Sequence, residues 1–348
     1  MTDSPDRIKL KAWLQTALEL ELSTIPPYMV ALLSLKLPSN REVAELIRSV
    51  MVEEMLHMVL VANVLNAIGG NPQLGAAAVP RYPLNLTFEG QPFRDRTFPV
   101  NLQPFSAAAV QTFLSIEQPR RPPPKVKLKS LTVPAPTIGE FYDKMAAVLD
   151  VLSLEPGGAI IGDAARQFDG DYFWSGGGRV IAVTDLASAR AALALVATQG
   201  EGAWPPVAGG ESGFSSHFDM GHWYRFNQIA QGRRYLRTDD PAGSPSGPPI
   251  AVSYAEVYPF KPNPTAADYP AGDKLSLLNR AFNLRYSRML RALEDAMNGA
   301  PKGLYDAIMD HMRALAPLAH DMMKLPLKAD PGQVGCPTFE WVEPQGSA

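Results

Sequence analysis

Glu54 and His57 stand three residues apart in Val52-Glu-Glu-Met-Leu-His-Met58, a spacing that puts both side chains on one face of a helix. They sit among Ile47, Val50, Met51, Met58 and Val61, so that face is apolar. A carboxylate and an imidazole kept from water need a partner or a metal ion. Carboxylate oxygen with imidazole nitrogen suits iron or manganese. The competing account is local: His57 caps a core face and hydrogen-bonds Glu53, one turn back. Glu21 lies on an apolar stripe with Leu10, Leu14, Ala17, Leu18, Ile25 and Tyr28, whereas Glu19 falls on a more polar side. Alone, Glu21 reads as a boundary residue at the stripe's edge. Together with Glu-x-x-His on the next helix, it supplies half of a metal site.

A second half requires another buried Glu and another Glu with His. Glu140 is one candidate, although its position three residues after Thr137 is equally that of a capping box. Glu201 is another, flanked by Gly200 and Gly202. Trp204 stands where a second Glu-x-x-His would place its histidine, so that motif is broken. The next histidines are His217 and His222.

These residues need long helices to hold them, and the pattern provides them. One helix is expected from about 6 to 37, kinked or broken at Pro26-Pro27. A second begins at Ser39, which has capping-box spacing to Glu42, and stops at Gly69-Gly70. The two form an antiparallel hairpin. Further helices are expected at about 106–117, 137–154, 185–200, 215–231, 273–298 and 302–324. Prolines punctuate short β-like pieces between 71 and 136, such as Leu84 to Phe88. Residues 155–184 and 232–272 are glycine- and proline-rich connections.

Composition narrows the function classes. With 32 basic and 35 acidic residues the net charge is −3, which lacks the basic footprint of a nucleic-acid binder. The basic stretch from Arg120 to Lys129 has no interleaved aromatics and reads as a solvated linker. A single cysteine, Cys336, excludes a disulfide framework and thiolate-rich metal sites. The N-terminus shows no signal-peptide pattern, and no uninterrupted apolar run approaches the ~18 residues of a membrane span. The expectation is a soluble, cytoplasmic protein with no nucleic-acid or membrane partner. His311 and His320, nine residues apart, read as surface or satisfied core residues.

Several segments, in order, resemble the ferritin-like family that includes the C-terminal domain of the iminophenyl-pyruvate dimer synthases of violacein- and rebeccamycin-type pathways. They are Leu18-Glu-Leu-Glu-Leu-Ser-Thr-Ile-Pro-Pro-Tyr28, Glu53-Glu-Met-Leu-His-Met58, Asn63-Val-Leu-Asn-Ala-Ile-Gly-Gly70 and Ile116-Glu-Gln-Pro119. Thr137-Ile-Gly-Glu-Phe-Tyr142, Gln199-Gly-Glu-Gly202, the histidine segment ending Arg225-Phe226 and Gly335-Cys-Pro-Thr-Phe-Glu340 complete the set. The resemblance implies a mainly α fold: a ferritin-like four-helix bundle with long ordered loops and accessory C-terminal helices. Residues 1–232 would form the bundle, with an inserted loop region at about 71–136. Residues 233–348 would supply a loop and two helices packed on it.

The resemblance also implies a dinuclear carboxylate site. Its ligands would be Glu21, Glu54, His57, Glu140, Glu201 and a later histidine. His222 matches the family's aromatic-x-Arg-Phe sequence better, and His217 is the alternative. Glu53 would support a ligand instead of being one. Four carboxylates balance two divalent ions, iron first and manganese second. The expected function is an oxidoreductase using oxygen or peroxide on a small nitrogenous or aromatic metabolite. The alternative is a metal-binding protein without turnover. A homodimer is compatible with the amphipathic C-terminal helices.

Overall fold

The computed structural model describes residues 3–88, 91–92, 98–118, 137–170, 177–201, 220–240 and 243–344. The basic stretch 120–129, Trp204 and His217 lie outside the described residues.

Helix α1 spans Pro5–Ser34, with Ser4 accepting from the Arg7 amide at 3.3 Å and proline at the first helical position. Pro26 and Pro27 lie inside it, so the break that the sequence allowed does not occur. Proline at 27 removes the amide that would bond the Ser23 carbonyl. The Tyr82 hydroxyl donates to that carbonyl at 2.7 Å, so the interruption is repaired from outside the helix.

Helix α2, Arg41–Ala67, begins two residues later than expected, with Asn40 at its N-cap and no side-chain cap. Ser39 is not the cap. Asn40 instead ties the helix start to the 232–272 connection, donating to the carbonyls of Ser253 and Glu256 and accepting from the Ser253 amide. Glu42 is likewise taken, by Arg234 at 2.7 Å. The expected stop at Gly69 is present, with φ of 78°. By length and composition α2 is apolar enough to cross a membrane, but 83% of its most apolar 18-residue window is buried inside the protein. It is a core helix.

Strands β1 (Thr87–Phe88) and β2 (Gln91–Pro92) make a small antiparallel ladder. Helix α3 (Ala107–Ile116) is capped by Ser106, and α4 (Ile138–Ser153) by Thr137. Helix α5 spans Leu186–Glu201, with Asp185 accepting from the Ser188 amide at 2.7 Å. Helix α6 occupies His222–Gln231 and ends in left-handed Gly232; the earlier part of the expected 215–231 helix lies mostly outside the described residues.

Four helices close a ring: α1 packs on α2 and α4, and α5 packs on α4 and α2. Helix α6 packs against α2, α3 and α5. The C-terminal part is α7 (Lys274–Met297) followed by α8 (Gly303–Asp306), a π-helical turn Ala307–Met312, and α9 (Arg313–Met323). The single helix expected over 302–324 therefore changes pitch in its middle. This part packs against α1 and α2 through α9 and α7.

Buried polar residues of α2 fasten the connections to the bundle. The Asn63 side-chain amide donates to the carbonyls of Phe168 and Ile181, and its oxygen accepts from the Phe168 amide. Asn66 donates to the Met297 carbonyl at the end of α7, at 2.7 Å. Each bond satisfies a backbone group that an irregular segment would otherwise bury unpaired.

Candidate metal centre

The inward faces of α1 and α2 bring Glu21, Glu54 and His57 together, all at most 4% exposed in their side chains. Among the described residues, two sets of donor atoms each lie within 4.8 Å: Glu21, Glu54 and His57, and Glu54, Glu117 and His222. Glu54 belongs to both. Each set therefore has a carboxylate of its own, a histidine of its own and a carboxylate in common.

The histidines are held alike. His57 Nδ1 lies 3.4 Å from a Glu21 oxygen, and its Nε2 lies 3.1 Å from Gln199 Oε1. His222 Nδ1 lies 2.9 Å from Glu54 and 3.3 Å from Glu117, and its Nε2 lies 2.8 Å from Glu53. A proton on Nε2 suits the outer acceptor in both cases, and Nδ1 faces the inner carboxylates. The rings stack with centroids 5.4 Å apart.

A surrounding layer fixes the carboxylates. The Tyr142 hydroxyl donates to Glu21, Tyr28 donates to Glu117, and Thr24 donates to Glu54 at 3.0 Å. Glu53, fully buried, also pairs with Arg225 at 2.7 Å. Gln199 donates to Glu53 at 3.1 Å and to the Gly177 carbonyl. The latter contact needs glycine next door: Gly178 has φ of 140°, and a Cβ there would meet Leu56 at 2.8 Å and Gln199 at 3.0 Å.

Burial and like charge set the protonation states. Burial, reinforced by the charges of Glu21 and Glu117, holds the Glu54 carboxyl well above its ordinary range. Burial also opposes the charge on Glu21, but the hydrogen bond and charge of His57, with the hydrogen bonds of Glu54 and Tyr142, together lower that group. At His222 burial disfavours the cation, yet Glu117, Glu53 and Glu54 together push its pKa well up. Burial raises both Tyr28 and Tyr142, which keeps them protonated donors. Among the described residues, four buried carboxylates, Glu21, Glu53, Glu54 and Glu117, face one buried cation of fixed charge, Arg225. Such a surplus of negative charge is costly without protons or metal cations to offset it. Oxygen and imidazole donors in this ratio fit divalent iron or manganese.

The sequence-predicted residues divide accordingly. Glu21, Glu54, His57 and His222 converge. Glu140 does not: it accepts from the Thr137 amide at 2.8 Å while Thr137 accepts from its amide at 3.1 Å, completing the cap of α4. The expectation that Glu140 is a ligand is therefore corrected, because its carboxylate is spent at the helix end. Glu201 is the last residue of α5, and its side chain lies outside the described residues. Glu117 is the carboxylate that sequence reasoning did not assign. Its signal was present, since it follows the apolar positions Val110, Phe113 and Ile116 of α3 and stands 6% exposed. Gln199 was also missed, because an amide in an alanine-rich helix advertises no chemistry. His311 lies beside Arg285, and His320 is exposed.

A family model described as ferritin-like matches residues 14–231. No curated protein matches. The chain is similar in structure to a ferritin-like protein from Caulobacter vibrioides, with a TM-score of 0.63 over 97% of this chain and 99% of that one. The two are 23% identical, so the likeness shows a common fold.

Proposed function

Because the chain belongs to the ferritin-like family, we propose that its buried cluster holds two divalent metal ions and serves an oxidoreductase. Iron is the first choice and manganese the second. One observation carries the reading: two donor sets, each with its own Glu and His, share Glu54. Glu21, Glu54 and His57 would hold one ion, and Glu117, His222 and Glu54 the other. Glu201 is the candidate for a sixth donor. These residues would hold redox-active ions, which would supply electrons for the reduction of oxygen or peroxide.

The chain's own residues do the positioning. Gln199 and Glu53 hold the two imidazoles with Nδ1 inward. Tyr142, Tyr28 and Thr24 steer carboxylate oxygens, and Arg225 offsets the charge of Glu53. Enclosing the cluster by packed helices excludes bulk water and so strengthens each of these interactions. The resemblance to imine-dimerising enzymes directs the substrate class toward small nitrogenous or aromatic metabolites.

Metal content by inductively coupled plasma mass spectrometry tests the reading, on protein purified without chelator or affinity metal. The expected result is about two iron or manganese ions per chain, with oxygen uptake when a reducing amine is supplied. No bound metal after anaerobic Fe(II) loading overturns the site. Two ions with no oxygen uptake overturns the enzyme and leaves a metal-holding protein.

A further inference from the structure

Among the described residues, the two halves of the cluster match in their inner parts. Each has one carboxylate of its own, and each of these accepts from a tyrosine hydroxyl: Glu21 from Tyr142, and Glu117 from Tyr28. Each has one histidine whose Nδ1 faces the carboxylates, and both draw on Glu54. The halves differ in what stands behind the histidine.

Behind His57 stands a neutral amide. The Gln199 nitrogen donates to Glu53 and to the Gly177 carbonyl, so the Gln199 oxygen is the atom that meets His57 Nε2, at 3.1 Å. Gln199 is partly exposed, and water can reach this partner. Behind His222 stands a carboxylate. Glu53 lies 2.8 Å from His222 Nε2, and neither side chain has any exposed surface. The same Glu53 oxygen lies 2.7 Å from Arg225, whose guanidinium only donates and so fixes that oxygen as an acceptor. Arg225 is anchored in turn, donating to the Met220 carbonyl at 2.7 Å and to the Ser49 hydroxyl at 3.2 Å.

A carboxylate that receives the outer N–H makes an imidazole more basic and a stronger donor to a metal ion. A neutral amide does this less, because hydrogen bonds to a charged acceptor are about twice as strong. Charge, distance and burial of the outer partner all favour His222 over His57.

We infer that the two halves fill in order: the Glu117–His222 half takes a divalent ion first and holds it more tightly, and the Glu21–His57 half takes the second and exchanges it more readily. Glu53 and Gln199 are the positioning residues that set this order. The inference rests on the two-ion reading above. It makes the His57 half the one whose occupancy follows the supply of metal.

Calorimetric titration of the metal-free full chain with Mn(II) tests this. The wild type should show two sites whose affinities differ by about tenfold or more, the range that partners of this kind command. Glu117→Ala should lose the tight site and keep the weak one, and Glu21→Ala should do the reverse, with circular dichroism showing that the helices are retained. Glu53→Gln puts an amide behind both histidines; it should keep two sites and remove most of the difference between them. A merely structural role for Glu53 would weaken both sites alike and leave their ratio unchanged. Proton NMR of the wild type locates the first ion without any variant. One equivalent of Co(II) should bring out one paramagnetically shifted ring N–H that exchanges slowly with solvent, that of buried His222, and a second equivalent should add a faster one from His57. Four outcomes overturn the order while leaving the two-ion site standing: equal affinities in the wild type, a tight site that survives Glu117→Ala, a ratio unchanged in Glu53→Gln, or a fast-exchanging N–H at one equivalent of Co(II). No bound metal, with Mn(II) or with anaerobic Fe(II), overturns the two-ion reading itself and the order with it.

Discussion

Gln199 donates to Glu53 at 3.1 Å, and this contact joins the residue that orients His57 to the residue that orients His222. The two halves of the cluster thus share an outer bridge through Gln199–Glu53 and an inner one through Glu54. Disturbing either bridge reaches both histidines.

The outer bridge is tested by Glu53→Gln and Gln199→Leu. Partners of this kind typically govern metal affinity by about 10- to 100-fold. Each variant should weaken Mn(II) binding within that range while leaving the number of sites at saturation unchanged. Loss of a site, read by calorimetric titration, would show that the residue is itself a ligand.

The inner bridge makes Glu54 unequal to its neighbours. Glu54→Ala should deplete both ions, whereas Glu21→Ala and Glu117→Ala should each deplete mainly one. Metal analysis of the three purified variants decides it. Equal losses across the three would disprove the sharing of Glu54.

Loading the site must release protons. In the metal-free chain burial and the charges of Glu21 and Glu117 raise the Glu54 pKa, and Glu117, Glu53 and Glu54 raise that of His222. Both groups have raised pKa values, so low pH retains their protons and opposes metal binding, and rising pH favours it. Affinity for Mn(II) should climb between pH values of about 6 and 8, by about tenfold per unit for each proton released. A flat profile would contradict this protonation assignment.

Glu140 separates a structural carboxylate from a ligating one. Removing its half of the capping box, in Glu140→Ala, should cost about 1 kcal/mol of stability. Metal content should stay at the wild-type level. Denaturant unfolding and metal analysis on the same preparation check both parts, and a loss of metal would restore Glu140 as a ligand.

The repair of α1 at Pro27 has its own signature. Tyr82→Phe leaves the Ser23 carbonyl unpaired and should destabilise the chain by about 1 kcal/mol or more. In a Pro27→Ala background the amide restored at position 27 can take that carbonyl, so the same change should cost less. Thermal unfolding of the four proteins in this cycle measures the difference. An identical cost in both backgrounds would show that the hydroxyl serves another purpose.

Much of this was written in local sequence. Glu21 on its apolar stripe, the three-residue step from Glu54 to His57, the Thr137 cap and the glycine stop after α2 all depend on neighbours within a turn or two of helix. Helical periodicity is enough to place such residues on a face, and the ordered motifs were enough to indicate a ferritin-like protein. Tertiary packing decided the rest. Glu117 enters the cluster because α3 packs on α6 and α6 on α2, contacts between residues far apart in the chain. Glu140 stays out of it, although its spacing allowed either role, because a carboxylate can serve only the partners within its reach. The same reason hides Gln199 and Tyr82 from sequence reading: what each does is set by atoms more than 50 residues away, beyond any local pattern.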